Sequence, residues 1–251
     1  MLTLAETELR LPEGILLNQS FGSVFHGALI SELDREWAEQ QIRPYSQYLL
    51  VKEGNPYWRI AVLTEEAFDH ILRPMMQKTS LFLEQKGYEV EVGKFSILKK
   101  DSFQGLEERF WTGTEKIHHI ELDFLTSASF KKNGEYKIFP ELPLVFNNLV
   151  RKWNVYSDSM ILGEERLGDK LAESMCITDY RLHTHPFSVE GRRIRAFRGN
   201  IRLGLFKDDI TRRMASMLAA FADYAGIGIK TAMGMGAVHS NIAYYQKKEQ
   251  L

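Results

Sequence analysis

Proton chemistry first becomes available at a histidine beside two glycines. His26 lies in the stretch Gly22-Ser-Val-Phe-His-Gly27, and an imidazole titrates near neutral pH, so it can take or give a proton. Apolar residues Phe21, Val24, Phe25, Leu29, Leu33 and Trp37 recur at helical spacings, which puts His26 at the margin of the stripe. A glycine inside a helix costs about 1 kcal/mol relative to alanine. Gly22 and Gly27 therefore suggest that something must approach this surface closely. A structural histidine bonding a loop fits the same pattern. One histidine does not easily serve as both base and acid, and Tyr45, Tyr48 and Lys52 are the nearest helpers in the sequence. Tyr48 and Lys52 share one face of a strand, where a lysine could stabilise developing negative charge.

A second cluster lies near the C-terminus, Gly226-Ile-Gly-Ile-Lys-Thr-Ala-Met-Gly-Met-Gly236. Gly226, Gly228, Gly234 and Gly236 form two G-x-G pairs around Lys230. Glycine carries an entropic cost, so such a run implies close approach by a phosphate chain or another backbone. It is neither a P-loop nor a dinucleotide fingerprint, because it follows a helix rather than a first strand. A helix C-cap at Gly226 followed by a turn is the plain alternative.

The chain has 251 residues, 44% of them hydrophobic and 26% charged, as in a globular protein of one large or two ordinary domains. No apolar run reaches the roughly 20 residues of a membrane span, and the first residues lack the pattern of a secretory signal. The one cysteine, Cys176, excludes disulfide frameworks and Cys-based zinc sites and fits a cytoplasmic location. Net charge is −1, but 13 basic and 18 acidic residues give residues 1–117 a charge of −5. Another 19 basic and 15 acidic residues give the remainder +4. Much of that excess lies in Arg192, Arg193, Arg195, Arg198 and Arg202, either a solvated strand pair or a phosphate-binding stripe. His118-His119 and His183-x-His185 lack a cysteine or carboxylate at ligand spacing, so neither a metal nor a cofactor is expected.

The predicted elements fall twice into the order β-α-β-β-α-β. The first half has strand Leu2–Leu11, helix Gln19–Gln41, a hairpin Tyr48–Lys52 and Trp58–Leu63, a helix from the cap Thr64 to about Gln77, and strand Tyr88–Leu98. The second has strand Ile117–Phe130, helix Pro143–Val155, extended segments Tyr180–Pro186 and Arg193–Phe206, a helix capped by Asp209, and strand Val238–Tyr245. Two such units make an α+β protein of two tandem ferredoxin-like domains, 1–114 and 115–251, with the glycine-rich loop in the second.

Two ferredoxin-like halves with a glycine loop after the last helix resemble the CRISPR-associated RAMP proteins, in particular the endoribonucleases that cut precursor CRISPR RNA at its repeats. Phe25-His-Gly-Ala-Leu29, Pro56–Leu63, Phe197–Leu203 and Gly226–Gly236 carry the resemblance. It implies a metal-independent cut in which a 2′-hydroxyl attacks the adjacent phosphate, leaving 2′,3′-cyclic phosphate and 5′-hydroxyl ends. His26 becomes the expected catalytic residue, with Tyr45, Tyr48 or Lys52 as helper. The glycine loop, Lys230 and the five arginines become the expected RNA contacts. CRISPR repeat RNA is the expected partner, and the resemblance also allows an interference complex and a homodimer. Two other readings compete: a RAMP subunit that binds CRISPR RNA without cutting it, and a tandem ferredoxin-like protein that binds a small ligand.

Overall fold

A computed structural model describes all residues except 19–20, 34–36, 38–41, 164, 190 and 246–251. The first half begins with β1 (Leu2–Arg10), helix α1 (Gly22–Ser31), β2 (Tyr45–Lys52) and β3 (Asn55–Val62). Both turn residues between β2 and β3, Glu53 and Gly54, have positive φ, as a two-residue hairpin requires. Thr64 caps the next helix, α2, over 65–75, by accepting a bond from the Ala67 amide. The hairpin β4 (Ser80–Leu83) and β5 (Tyr88–Val92) precedes β6 (Ser96–Asp101). β2, β3, β1 and β6 lie side by side and all antiparallel, the ferredoxin-like order, while β5 extends the far end of β1.

The second half repeats that plan. Strand β7 (Ile117–Ala128), helix α4 (Leu142–Tyr156), β10 (Met175–Thr184), β13 (Phe197–Leu205), helix α6 (Asp209–Ala225) and β14 (Val238–Tyr244) build the sheet β10-β13-β7-β14. Hairpins β8 (Phe130–Lys132) with β9 (Glu135–Lys137), and β11 (Phe187–Val189) with β12 (Arg192–Ile194), are insertions, as is the short helix α5 (Leu167–Ala172). No described helix is long and apolar enough to cross a membrane.

Several expectations change. Tyr88–Leu98 is two strands, because Gly93 lies against the backbone of Glu8 and the chain there passes from the far end of β1 to its start. The helix expected over Gln19–Gln41 is shorter: α1 ends at Ser31 with Glu32 as its C-cap, and Gln19 and Gln41 lie outside the described residues. The cap of α6 is Asp208, one residue earlier than expected, accepting from the Thr211 amide. Helix α3 (Phe103–Thr112), unexpected between the two units, is capped by Ser102 and buries Phe103, Leu106 and Phe110.

Phe103, Trp153 and Phe221 meet edge-on or tilted at ring distances of 4.9, 5.3 and 5.5 Å, joining α3 to α4 and α6. The core around them also takes in Leu2, Leu4, Ala61 and Leu63 of the first half. Helix α6 is wedged between the sheets, touching β7 and β14 of its own and β1, β2 and β3 of the other. Its C-terminal end therefore delivers the glycine loop to the first half.

Candidate active site

His26 follows Phe25, which points into the first core and packs edge-on against Trp58 at 5.2 Å. The imidazole turns instead toward the glycine loop and is only 7% exposed. Its Nδ1 shares a 3.1 Å hydrogen bond with the hydroxyl of Tyr45, at the start of β2. The ring also bonds the backbone of Ala232 in the loop. Burial, then the charges of Arg43 and Lys230, depress its pKa to about 4 against the opposing pull of the Ala232 bond. The ring is therefore neutral at neutral pH. Tyr45 is 1% exposed, and burial pushes its hydroxyl up despite the charge and hydrogen bond of Arg43. A neutral phenol buried behind the ring can orient it but is not open to a substrate.

Gln47 ties the two sides together. Its Nε2 donates to the carbonyls of Gly22 (2.7 Å) and Ala232 (3.0 Å), and its Oε1 accepts from Trp58 at 2.8 Å. Gly22 is required here, since a Cβ would lie 2.5 Å from the Met233 carbonyl. The sequence signal at Gly22 thus marks the approach of the loop backbone to α1.

The loop itself is packed more tightly than a phosphate cradle would be. Its glycines are buried, and the amides of Gly226, Gly228 and Gly236 donate within the protein, to Ala222, Asn148 and Ser127. Gly236 has φ +65°, and a side chain there would run into the Ile227 carbonyl. Gly234 lies against Gly22. Of the two kinds of close approach the glycine run implied, the loop shows that of another backbone: backbone meets backbone, and those three donors are engaged. Lys152 of α4 fastens the loop from behind. Its buried ammonium donates to Ala225 (2.7 Å), Gly226 (3.0 Å) and Thr231 (3.1 Å). Lys230 is what the loop presents outward, exposed and in the left-handed region at φ 54°.

Tyr48 and Lys52 do not join His26. Alternation along β2 turns Tyr45, Gln47 and Leu49 toward α1, and Ser46, Tyr48, Leu50 and Lys52 to the opposite face. There Lys52 and Arg59 hold Glu6 at 2.5 and 2.7 Å, and Arg59 donates to the Tyr48 hydroxyl at 3.0 Å. Burial alone raises the Glu6 carboxyl, but those two cations outweigh it and the net shift is downward.

The arginines divide as well. Phe187, Ile194 and Ala196 pack on Met235, Met233 and Ile229 of the glycine loop. The β11–β12 hairpin is thus packed on the loop that carries Lys230, and Arg192, Arg193 and Arg195 are exposed there. Arg198 is half-buried near His185, whose Nδ1 bonds Ser127 at 2.6 Å. Arg202 is corrected out of the group: it makes two bonds to Glu121, at 2.9 and 2.7 Å, on the open face of the sheet. His239 is held by Asp223, which raises its pKa, and His70 stacks on Trp37. The His118 and His119 rings bond each other. Arg43, Gln47 and Lys152 were not singled out in the sequence. Arg43 and Gln47 stand beside Tyr45 in the chain, but neither carries a pattern that marks it, and Lys152 lies in the other half.

A family model described as CRISPR-associated endoribonuclease Cas6 matches residues 122–238. A Cas6 endoribonuclease of Streptococcus thermophilus is 30% identical over 224 residues, covering 88% of this chain and 91% of the relative. One from Mycobacterium tuberculosis is 28% identical over 229 residues, 87% of this chain and 71% of the relative. Among solved structures, a Cas6 product complex superposes with a TM-score of 0.77 at 21% identity, over 96% of this chain and 99% of that one. A Thermus thermophilus Cas6 gives 0.73 at 19%, over 96% and 98%. The two tandem ferredoxin-like folds are thus shared along nearly the whole chain.

Proposed function

The chain belongs to the Cas6 family of CRISPR-associated endoribonucleases, and on that basis we propose that it cuts CRISPR repeat RNA by metal-independent 2′-hydroxyl attack, with His26 as the base. The observation that carries this reading is the seam where His26 of α1 meets the glycine loop, with Arg43 and Lys230 close enough to act on its charge. RNA follows the basic surface of the second domain, residues 115–251, along Arg192, Arg193 and Arg195 to Lys230. There it meets the imidazole of the first domain, residues 1–114. Mature guide RNA is the product, made in the cytoplasm and available to an interference complex.

In the step itself the 2′-oxygen forms a bond to phosphorus and the bond from phosphorus to the 5′-oxygen breaks. His26 takes the 2′-hydroxyl proton, and the leaving 5′-oxygen takes one from water. Lys230 and Arg43 stabilise the charge that builds on the phosphorane oxygens. Two features of the resting site must change. The imidazole bond to the Ala232 backbone has to open, and the low basicity of the ring has to rise. A bound phosphate raises that basicity, because its negative charge offsets the charges of Arg43 and Lys230, which add to burial in holding the ring neutral. Once the Ala232 bond opens, the ring proton sits on Nδ1 and is donated to the Tyr45 hydroxyl, which keeps the ring oriented and leaves the other nitrogen free to accept the 2′-hydroxyl proton.

The opposing reading, an RNA-binding subunit without catalysis, draws on the low exposure of the ring. Incubation of the protein with its repeat RNA in EDTA separates the two. Cyclic phosphate and 5′-hydroxyl ends are expected, together with no cutting when a 2′-deoxy nucleotide stands 5′ of the scissile phosphate. A gel shift without product supports the subunit, and cutting of the deoxy substrate makes water the nucleophile.

A further inference from the structure

One carbonyl in the seam has two donors. The bond between the His26 ring and the Ala232 backbone raises the pKa of the ring, and an acceptor is what does that to an imidazole. The ring therefore donates to the Ala232 carbonyl. Gln47 Nε2 donates to the same oxygen at 3.0 Å. A carbonyl oxygen has two lone pairs, so these two bonds fill it. No other donor to it stands among the described residues, and Ala232 is only 6% exposed. The second N–H of the Gln47 amide goes to the Gly22 carbonyl at 2.7 Å. Helix geometry brings the His26 amide to that oxygen as well, four residues on along α1. Trp58 donates to Oε1 at 2.8 Å and so fixes which end of the Gln47 amide faces the two carbonyls.

We propose that Gln47 is a positioning residue of the cleavage reaction, holding the Ala232 carbonyl when the His26 ring lets go of it. This rests on the endonuclease reading, in which that ring bond has to open. With Gln47 present, the carbonyl keeps one donor while the imidazole turns to the 2′-hydroxyl. Without Gln47, the ring is the last partner of that oxygen. Opening then strands a buried acceptor, and the cost falls on the step that frees the base. The Gly22 carbonyl keeps its helix partner in both the closed and the open form, so its loss of Gln47 lowers stability and leaves the rate alone. Other contacts hold the loop against α1 in either form, since Lys152 fastens it from behind and Gly234 lies against Gly22. Opening comes after the RNA is bound, so its cost shows in the rate rather than in the affinity.

Single-turnover cleavage of repeat RNA by the full chain, with affinity measured alongside, tests this on two variants. Gln47→Met has no donor, and its rate should fall about 10- to 100-fold at nearly unchanged affinity. Gln47→Glu has the same shape and carries the test if the methionine variant does not fold. At mildly acid pH its buried carboxyl is protonated, and one O–H then serves two carbonyls. Its rate should lie between those of wild type and Gln47→Met. A second readout needs no cleavage. In free Gln47→Met the imidazole has the Ala232 carbonyl to itself, while Arg43, Lys230 and Tyr45 are untouched. That carbonyl then favours the charged ring more strongly, so the His26 pKa should rise from its wild-type value of about 4 in an NMR titration of the ring. An unchanged titration, a rate equal to wild type in either variant, or an affinity that falls as far as the rate would each overturn the proposal. Because the titration is independent of cutting, failure of the Gln47 assignment is distinct from failure of the endonuclease reading.

Discussion

At His26, burial and two neighbouring cations act in the same direction, and both keep the imidazole neutral. The pH consequence follows in sign. The base works only when deprotonated, so the rate falls as pH falls through its pKa. For free enzyme, kcat/KM should lose activity only near pH 4. Bound phosphate raises that pKa, so the acid limb of kcat should lie at higher pH. Coincident limbs in a pH series of single-turnover and steady-state rates would remove the phosphate effect from the account. Tyr45 and Tyr48 provide a second contrast. Tyr45→Phe deletes the hydroxyl at Nδ1 and should lower kcat about tenfold with little change in KM, as loss of an orienting partner does. Tyr48→Phe and Lys52→Ala act on the far face and should leave kcat unchanged. Lys52→Ala should instead lower stability, measured by urea denaturation. The Glu6 contribution that Lys52 supports is present above the ordinary carboxyl value of 4.5 and is lost as pH falls through the lowered folded pKa.

At the scale of elements, the glycine loop is a fastening between two halves, and its tolerance to change should be low. Gly236→Ala adds a Cβ at positive φ against the Ile227 carbonyl, and should destabilise by about 2 kcal/mol or more. Lys152→Met strands the buried carbonyls of Ala225 and Gly226 and should cost about 3 kcal/mol. Lys152 also has a pH signature. Burial first, then the charge of Arg151, lowers its pKa from 10.5 to about 7. Between those values the unfolded chain binds more protons than the folded one, so stability rises with pH, and Lys152→Met should flatten that rise in thermal denaturation scans.

Much of this level was legible in the sequence. Alternating strands, helical spacing and the caps gave both ferredoxin-like units in order. Helix α3 is written there too, in the spacing of Phe103, Leu106 and Phe110, but it sits between the two units, where the repeated order of elements calls for none. The split of Tyr88–Leu98 at Gly93 depends on contact with β1, which no local pattern carries. Alternation placed Tyr48 and Lys52 on one face correctly. Which face α1 covers is decided by packing, so their distance from His26 was not readable. Arg43, Gln47 and Lys152 reach the site only through the fold.

For the whole molecule, α6 joins the two sheets and sets the histidine of one half against the loop of the other. Charge supports one direction of RNA approach. Lys230→Ala and Arg193→Ala should each weaken RNA binding and reduce the salt slope by about 1. Arg202→Ala, already paired with Glu121, should leave the slope as it is. An equal loss for all three would move the RNA path onto the open face of the second sheet. The central claim is that an imidazole at the seam removes a proton from RNA that the basic half holds. Single-turnover cleavage of repeat RNA by His26→Ala, with affinity measured alongside, tests it most directly. The account predicts a rate lower by about 10²–10⁴-fold at nearly unchanged affinity, and a variant that cuts as fast as wild type would contradict it.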